Sequence, residues 1–91
     1  MLKDKLKPDT SLLLEGFLEV ANIGNLHLLD EERWRRFVIQ AHLDGTDLDD
    51  SDIADAIRER FPAAEEFALQ MGDRFVNERD LLNQYDKAQD A

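Results

Sequence analysis

Six aspartates fall within twelve residues: Asp44, Asp47, Asp49, Asp50, Asp52 and Asp55, with no lysine or arginine among them. Carboxylates at this density have three chemical uses: holding a hard cation, moving protons, or attracting a basic surface. The cation pattern starts well, because Asp47, Asp49 and Ser51 match the first three ligand positions of a helix–loop–helix calcium site. It then fails. Asp52 stands where the sharp turn needs glycine, and Arg58 stands where the closing bidentate glutamate belongs. Proton transfer fares no better, since no carboxylate has an obvious buried neighbour to raise its pKa. Two readings remain. The six acids are a solvated loop that caps and flanks a helix start, or they form an acidic patch that docks on basic residues of another protein.

Ser51 is the one nucleophile inside this cluster. Asp50-Ser51-Asp52-Ile53 resembles, over four residues, the Asp-Ser-Leu motif whose serine carries the phosphopantetheine arm in acyl carrier proteins. Asp52 replaces the leucine, and a helical stretch with Trp34 and three arginines replaces the long loop that precedes the motif. Ser51 therefore reads as a helix cap. His27 and His42 share no pattern that places two metal ligands on one helix face. Trp34 beside Arg33, Arg35 and Arg36 has the composition of a binding hot spot, yet its helical spacing favours the core. No nucleophile–base pair and no glycine-rich phosphate loop occurs, so no catalytic residue, cofactor or metal is assigned.

The totals narrow the partners. The chain has 91 residues and a formal charge of −10, with 21 acidic and 11 basic side chains. Nucleic acids and anionic membranes attract the opposite balance. A basic protein surface suits this one. The absence of cysteine removes disulfides, thiol nucleophiles and cysteine-rich zinc sites. Met1 to Lys7 has the charge of a signal-peptide start, but Glu15 and Glu19 interrupt the apolar run that follows. A cytoplasmic protein without a membrane span is expected.

Four helical patterns must position these residues. The first covers about residues 11–22, with Asp9, Thr10 or Ser11 as cap, Leu13, Phe17, Val20 and Ala21 as its stripe, widened by Leu14 and Leu18, and Gly24 as its stop. The loop with Leu26, Leu28 and Leu29 is expected to tuck under the bundle. The second covers 31–43, capped by Asp30 and closed by Gly45, with Trp34, Phe37, Val38 and Ala41 on one face. The third covers about 52–60, capped by Asp50 or Ser51, with Ile53, Ile57 and Phe61 buried. Pro62 then opens the fourth, which reaches about Lys87 and carries Ala64, Phe67, Ala68, Met71, Phe75, Leu82 and Tyr85 on one side.

The expected fold is all-α: a compact bundle of about four helices with a long C-terminal helix, one domain over residues 1–91. Residues 1–8 are expected to be flexible and 88–91 frayed. A helix of roughly 25 residues spans about 37 Å, more than three short neighbours shelter. Phe75, Leu82 and Tyr85 are therefore candidates for self-association into a homodimer or for docking. The expected function is non-catalytic: a small acidic protein acting as regulator, adaptor or inhibitor through protein–protein contact. The alternative is an acidic mimic of nucleic-acid phosphates, such as a phage-encoded inhibitor of a DNA- or RNA-binding protein.

Overall fold

A computed structural model describes residues 5–20 and 30–90, which form four helices and no strand. They are α1 (Pro8–Val20), α2 (Glu31–Asp44), α3 (Asp50–Arg60) and α4 (Glu65–Asp90). The all-α bundle with a long final helix stands. The glycine stop at Gly24, the leucine-rich loop with Leu26, Leu28 and Leu29, and His27 lie outside the described residues.

Each start has a local cause. Pro8 opens α1 three residues earlier than expected, because its missing N–H is one that a first turn leaves unused anyway. The carbonyl of Lys7 accepts the first helical bond, from the Ser11 amide at 2.9 Å. Asp30 caps α2 as expected, accepting from the Arg33 amide at 3.0 Å. Gly45 ends it at φ 69°, the left-handed conformation that glycine adopts without strain. The cap of α3 is Asp49, not Asp50 or Ser51. Asp49 accepts from the Asp52 amide and Asp52 accepts from the Asp49 amide, so two orphan donors are satisfied reciprocally. Pro62 does not open the fourth helix. Phe61 to Ala64 form a turn, with the Ala64 amide bonded to the Phe61 carbonyl, and α4 begins at Glu65.

The core is built from the expected faces, with one rotation. In α1 the buried stripe is Thr10, Leu14, Phe17 and Leu18, while Val20 is half exposed. The Thr10 hydroxyl donates to Asp44, which turns that edge of α1 onto the end of α2. Trp34, Phe37, Val38 and Ala41 are all buried. Trp34 packs on Phe17 with ring centroids 5.1 Å apart and edge-on to Phe75 at 6.3 Å, which settles it as core. Ring pairs in such tilted and edge-to-face geometries each contribute about 0.5–1.5 kcal/mol beyond burial.

Ion pairs and close contacts fix the directions. Thr10 meets Asp44 and Phe17 meets Trp34, so α1 and α2 are antiparallel. Arg58 on α3 reaches Glu65 on α4, and Asp50 lies against Gly72, so α3 and α4 are antiparallel. Arg74 reaches Glu31 and His42 reaches Asp86, so α2 and α4 run the same way. The first part of α4 thus lies on α3 and its later part on α2. Two short neighbours thus cover it in succession, as far as Leu82. Past Leu82, residues 83–88 are exposed.

At the ends, Leu6 is buried at 8% exposure and Lys5 pairs with Asp52 at 2.9 Å, and α4 is helical to Asp90.

Candidate functional site

The six aspartates do not act as one patch. Asp44 faces α1, where it accepts from Thr10 and from Gln40 at 2.9 Å, and the Thr10 bond chiefly holds its carboxyl below the usual range. Asp52 is bound twice, by Lys5 and by the Asp49 amide. Burial pushes its pKa up most, but these bonds together outweigh that and lower it. Asp55 accepts from Arg58 at 2.8 Å on the exposed flank of α3. Asp44 and Asp52 are thus held by bonds within the fold, while Asp55 stays on the surface, its side chain 71% exposed beside Arg58.

Asp47, Asp49 and Asp50 remain together at the start of α3, all exposed. Helix α4 adds Asp73, which sequence spacing did not single out. Asp49, Asp50 and Asp73 line an open cleft of about 360 Å³ with Val76, Asn77 and Arg79. Gly72 makes this possible. It lets the backbone of Asp50 rest directly on α4, bringing the two helices' acids to one side. The signal for Asp73 was its place next to a glycine in a long polar helix, which reads as nothing until the crossing point is known.

Arg79 lines the same cleft but forms no ion pair with these acids. Its guanidinium donates to the Leu48 carbonyl and lies 5.7 Å from the centre of the Phe75 ring. Other arginines are likewise committed: Arg33 to Asp30, Arg36 to Glu32, Arg58 to Glu65 and Asp55, Arg74 to Glu31 and Glu78. The expected basic stripe around Trp34 is therefore largely neutralised by its own helix, since Asp30 and Glu32 stand one turn before Arg33 and Arg36.

No three histidine, aspartate or glutamate side chains among the described residues are grouped to hold a metal ion. His42 bonds Asp86 across α2 and α4 at 2.5 Å. Ser51 is exposed in the first turn of α3 and does not cap it. No described helix is long and apolar enough to cross a membrane.

Of the three candidate docking residues on α4, Phe75 is excluded. It is 0% exposed and stacks in the core with Trp34 and Phe37. Leu82 is partly buried against the same cluster. Tyr85 is 61% exposed and Leu81, one turn before it, 64%. Glu78, between these residues on α4, accepts from Arg74 within the same helix at 2.6 Å.

No protein-family model, curated protein or solved structure matches this chain.

Proposed function

We propose that this chain is a non-catalytic binding protein whose acidic face, Asp47, Asp49, Asp50 and Asp73, docks on a basic surface of a protein partner. One observation carries the reading. These four carboxylates are exposed and form no close ion pair among the described residues, Lys5 acting on Asp47 and Asp49 only at longer range, whereas Arg33, Arg36, Arg58 and Arg74 are each neutralised inside the chain. The field left over is negative and concentrated where α3 starts against α4. Such a field steers association and raises the on-rate more than it raises affinity. Substituting Asp47, Asp50 and Asp73 together by asparagine is expected to slow association with the natural partner about tenfold or more at low salt, with the salt dependence reduced. Unchanged rate and affinity in the triple variant would reduce the face to solvated side chains.

A second reading, the nucleic-acid mimic, gains from the pairing of Arg33 and Arg36. Bare cations there would repel a DNA-binding groove, and both carry a carboxylate partner. Its partner is then a nucleic-acid-binding protein, and added DNA must compete with the chain for it. Failure to compete leaves the first reading alone.

A further inference from the structure

The described chain begins with a segment already seated on two of the six aspartates. Lys5 donates to both oxygens of Asp52, at 3.0 and 2.9 Å. Leu6 is 8% exposed and belongs to the buried apolar cluster that includes Leu48 and Ile53. Lys7 comes within 4.0 Å of Asp44. A cation, an apolar side chain and a second cation thus bridge the end of α2 and the start of α3.

We propose that Lys5-Leu6-Lys7 is a detachable strap, and that the seat beneath it takes a partner segment of the same pattern: basic, apolar, basic. This rests on the proposed function only for the claim that the occupant is a protein.

Three features make the strap separable. Among the described residues it is held by one apolar side chain and two ion pairs whose lysines are about half exposed or more, with side-chain exposures of 48% and 66%. Segments with so few buried contacts open well before the whole fold does. Pro8, the first residue of α1, keeps the helix from extending back into it, because the residue before a proline avoids the helical region. The hinge is Lys7, whose carbonyl caps α1 while its exposed side chain reaches Asp44 only at 4.0 Å. The strap can therefore lift without unwinding the helix.

The seat keeps its shape when emptied. Asp44 is still fixed by Thr10 and Gln40, and Asp52 by its reciprocal bonds with Asp49. Two carboxylates stay aimed on either side of the depression that Leu6 vacates. Preorganised acceptors of this kind lower the ordering cost of binding. The strap then works as a built-in competitor that an incoming basic segment must displace.

The test uses the full chain and a labelled peptide of the sequence Lys-Asp-Lys-Leu-Lys-Pro-Asp, with a second peptide carrying serine for leucine. Leu6→Ser empties the apolar seat without altering charge. The leucine peptide is expected to bind the folded Leu6→Ser chain at least about tenfold tighter than the wild type, on the scale of one apolar anchor. The serine peptide should show no such gain. Equal binding of the leucine peptide to both chains, or equal gain for the two peptides, overturns the proposal. So does a wild-type dimer that Leu6→Ser dissolves, which would mean exchange of the strap between copies. Where Leu6→Ser does not fold, a thiol decides, and the natural chain has no cysteine to interfere. Leu6→Cys should react with a thiol reagent about a hundredfold faster than Ala54→Cys, as a locally opening site does. Equal rates, or failure of Leu6→Cys to fold, would show the segment to be an integral part of the core. None of these results depends on Asp47, Asp50 and Asp73, so the strap and the acidic face fail separately.

Discussion

The carbonyl oxygen of Asp50 lies so close over Gly72 that a Cβ atom built there would sit 2.5 Å from it. Neither residue does chemistry, yet their contact sets where α3 crosses α4 and so which carboxylates share a face. Asp49 and Asp50 reach the side of Asp73 because a residue without a side chain lies between the two backbones.

Gly72→Ala is therefore expected to destabilise the fold by about 1–3 kcal/mol, the range for forcing an extra methyl into a packed contact. Helix propensity alone predicts the opposite sign, a gain of up to about 1 kcal/mol. Gly16 supplies the control. A Cβ there meets only the Arg33 Nη1 atom, at 3.8 Å. Gly16→Ala should stabilise by about 0.5–1 kcal/mol. Urea unfolding of the two variants measures both, and a stabilised Gly72→Ala would disprove the backbone contact.

Two neighbouring aspartates of the acidic face should differ in stability though they match in charge. Asp49 caps α3 through the Asp52 amide at 2.9 Å, whereas Asp47 has no hydrogen-bond partner among the described residues. Asp49→Ala is expected to lose about 1 kcal/mol. Asp47→Ala should stay within about 0.5 kcal/mol of the wild type. Equal melting temperatures for the two would refute the cap assignment.

The pH dependence follows from carboxyls held low. Arg74 lowers Glu31 mainly through its hydrogen bond, with burial opposing. Arg58 does the same for Glu65, and Thr10 for Asp44. A folded-state pKa below the unfolded one means that the unfolded chain binds more protons in between, so stability rises with pH there. The contribution is complete above the ordinary carboxylate range of about 4 to 4.5 and disappears as pH falls through the lowered values. The urea midpoint should drop steadily from about pH 5 to pH 3. Arg74→Met should flatten that slope by freeing Glu31. An unchanged slope would mean that the bridge between α4 and α2 does not form in solution.

The helices and their faces were legible in the sequence because each carries periodic apolar residues and local start or stop signals. Asp30, Gly45 and the run Trp34, Phe37, Val38, Ala41 behave as their spacing dictates. The candidate site was legible only as composition. Six aspartates in a row of twelve look alike in one dimension. Their fates separate through partners distant in sequence: Thr10 for Asp44, Lys5 for Asp52, and the crossing at Gly72 that adds Asp73. The start of α4 was misplaced for a local reason. Pro62 suits a first helical turn, but the bond from the Ala64 amide to the Phe61 carbonyl closes a separate turn around it.

The same distinction governs the far end of α4. Phe75, Leu82 and Tyr85 share one apolar spacing in sequence, but the bundle grades them from buried to exposed. Helices α2 and α4 run parallel, joined by Arg74 with Glu31 and by His42 with Asp86. Phe75 stacks on Trp34 and Phe37 between them, whereas residues 83–88 lie exposed. Phe75→Ala should cost about 3–5 kcal/mol, as a fully enclosed aromatic does. Leu82→Asp should also destabilise, because it places a charge against the apolar cluster. Tyr85→Asp should leave the fold within about 0.5 kcal/mol of the wild type. Self-association through the C-terminal end of this helix would then use the exposed pair Leu81 and Tyr85, with Phe75 enclosed in the core. Sedimentation equilibrium of wild type, Tyr85→Asp and Leu81→Asp separates the cases. A dimer that both variants break while staying folded places the interface on that pair. A dimer that survives both lies on another face of the molecule.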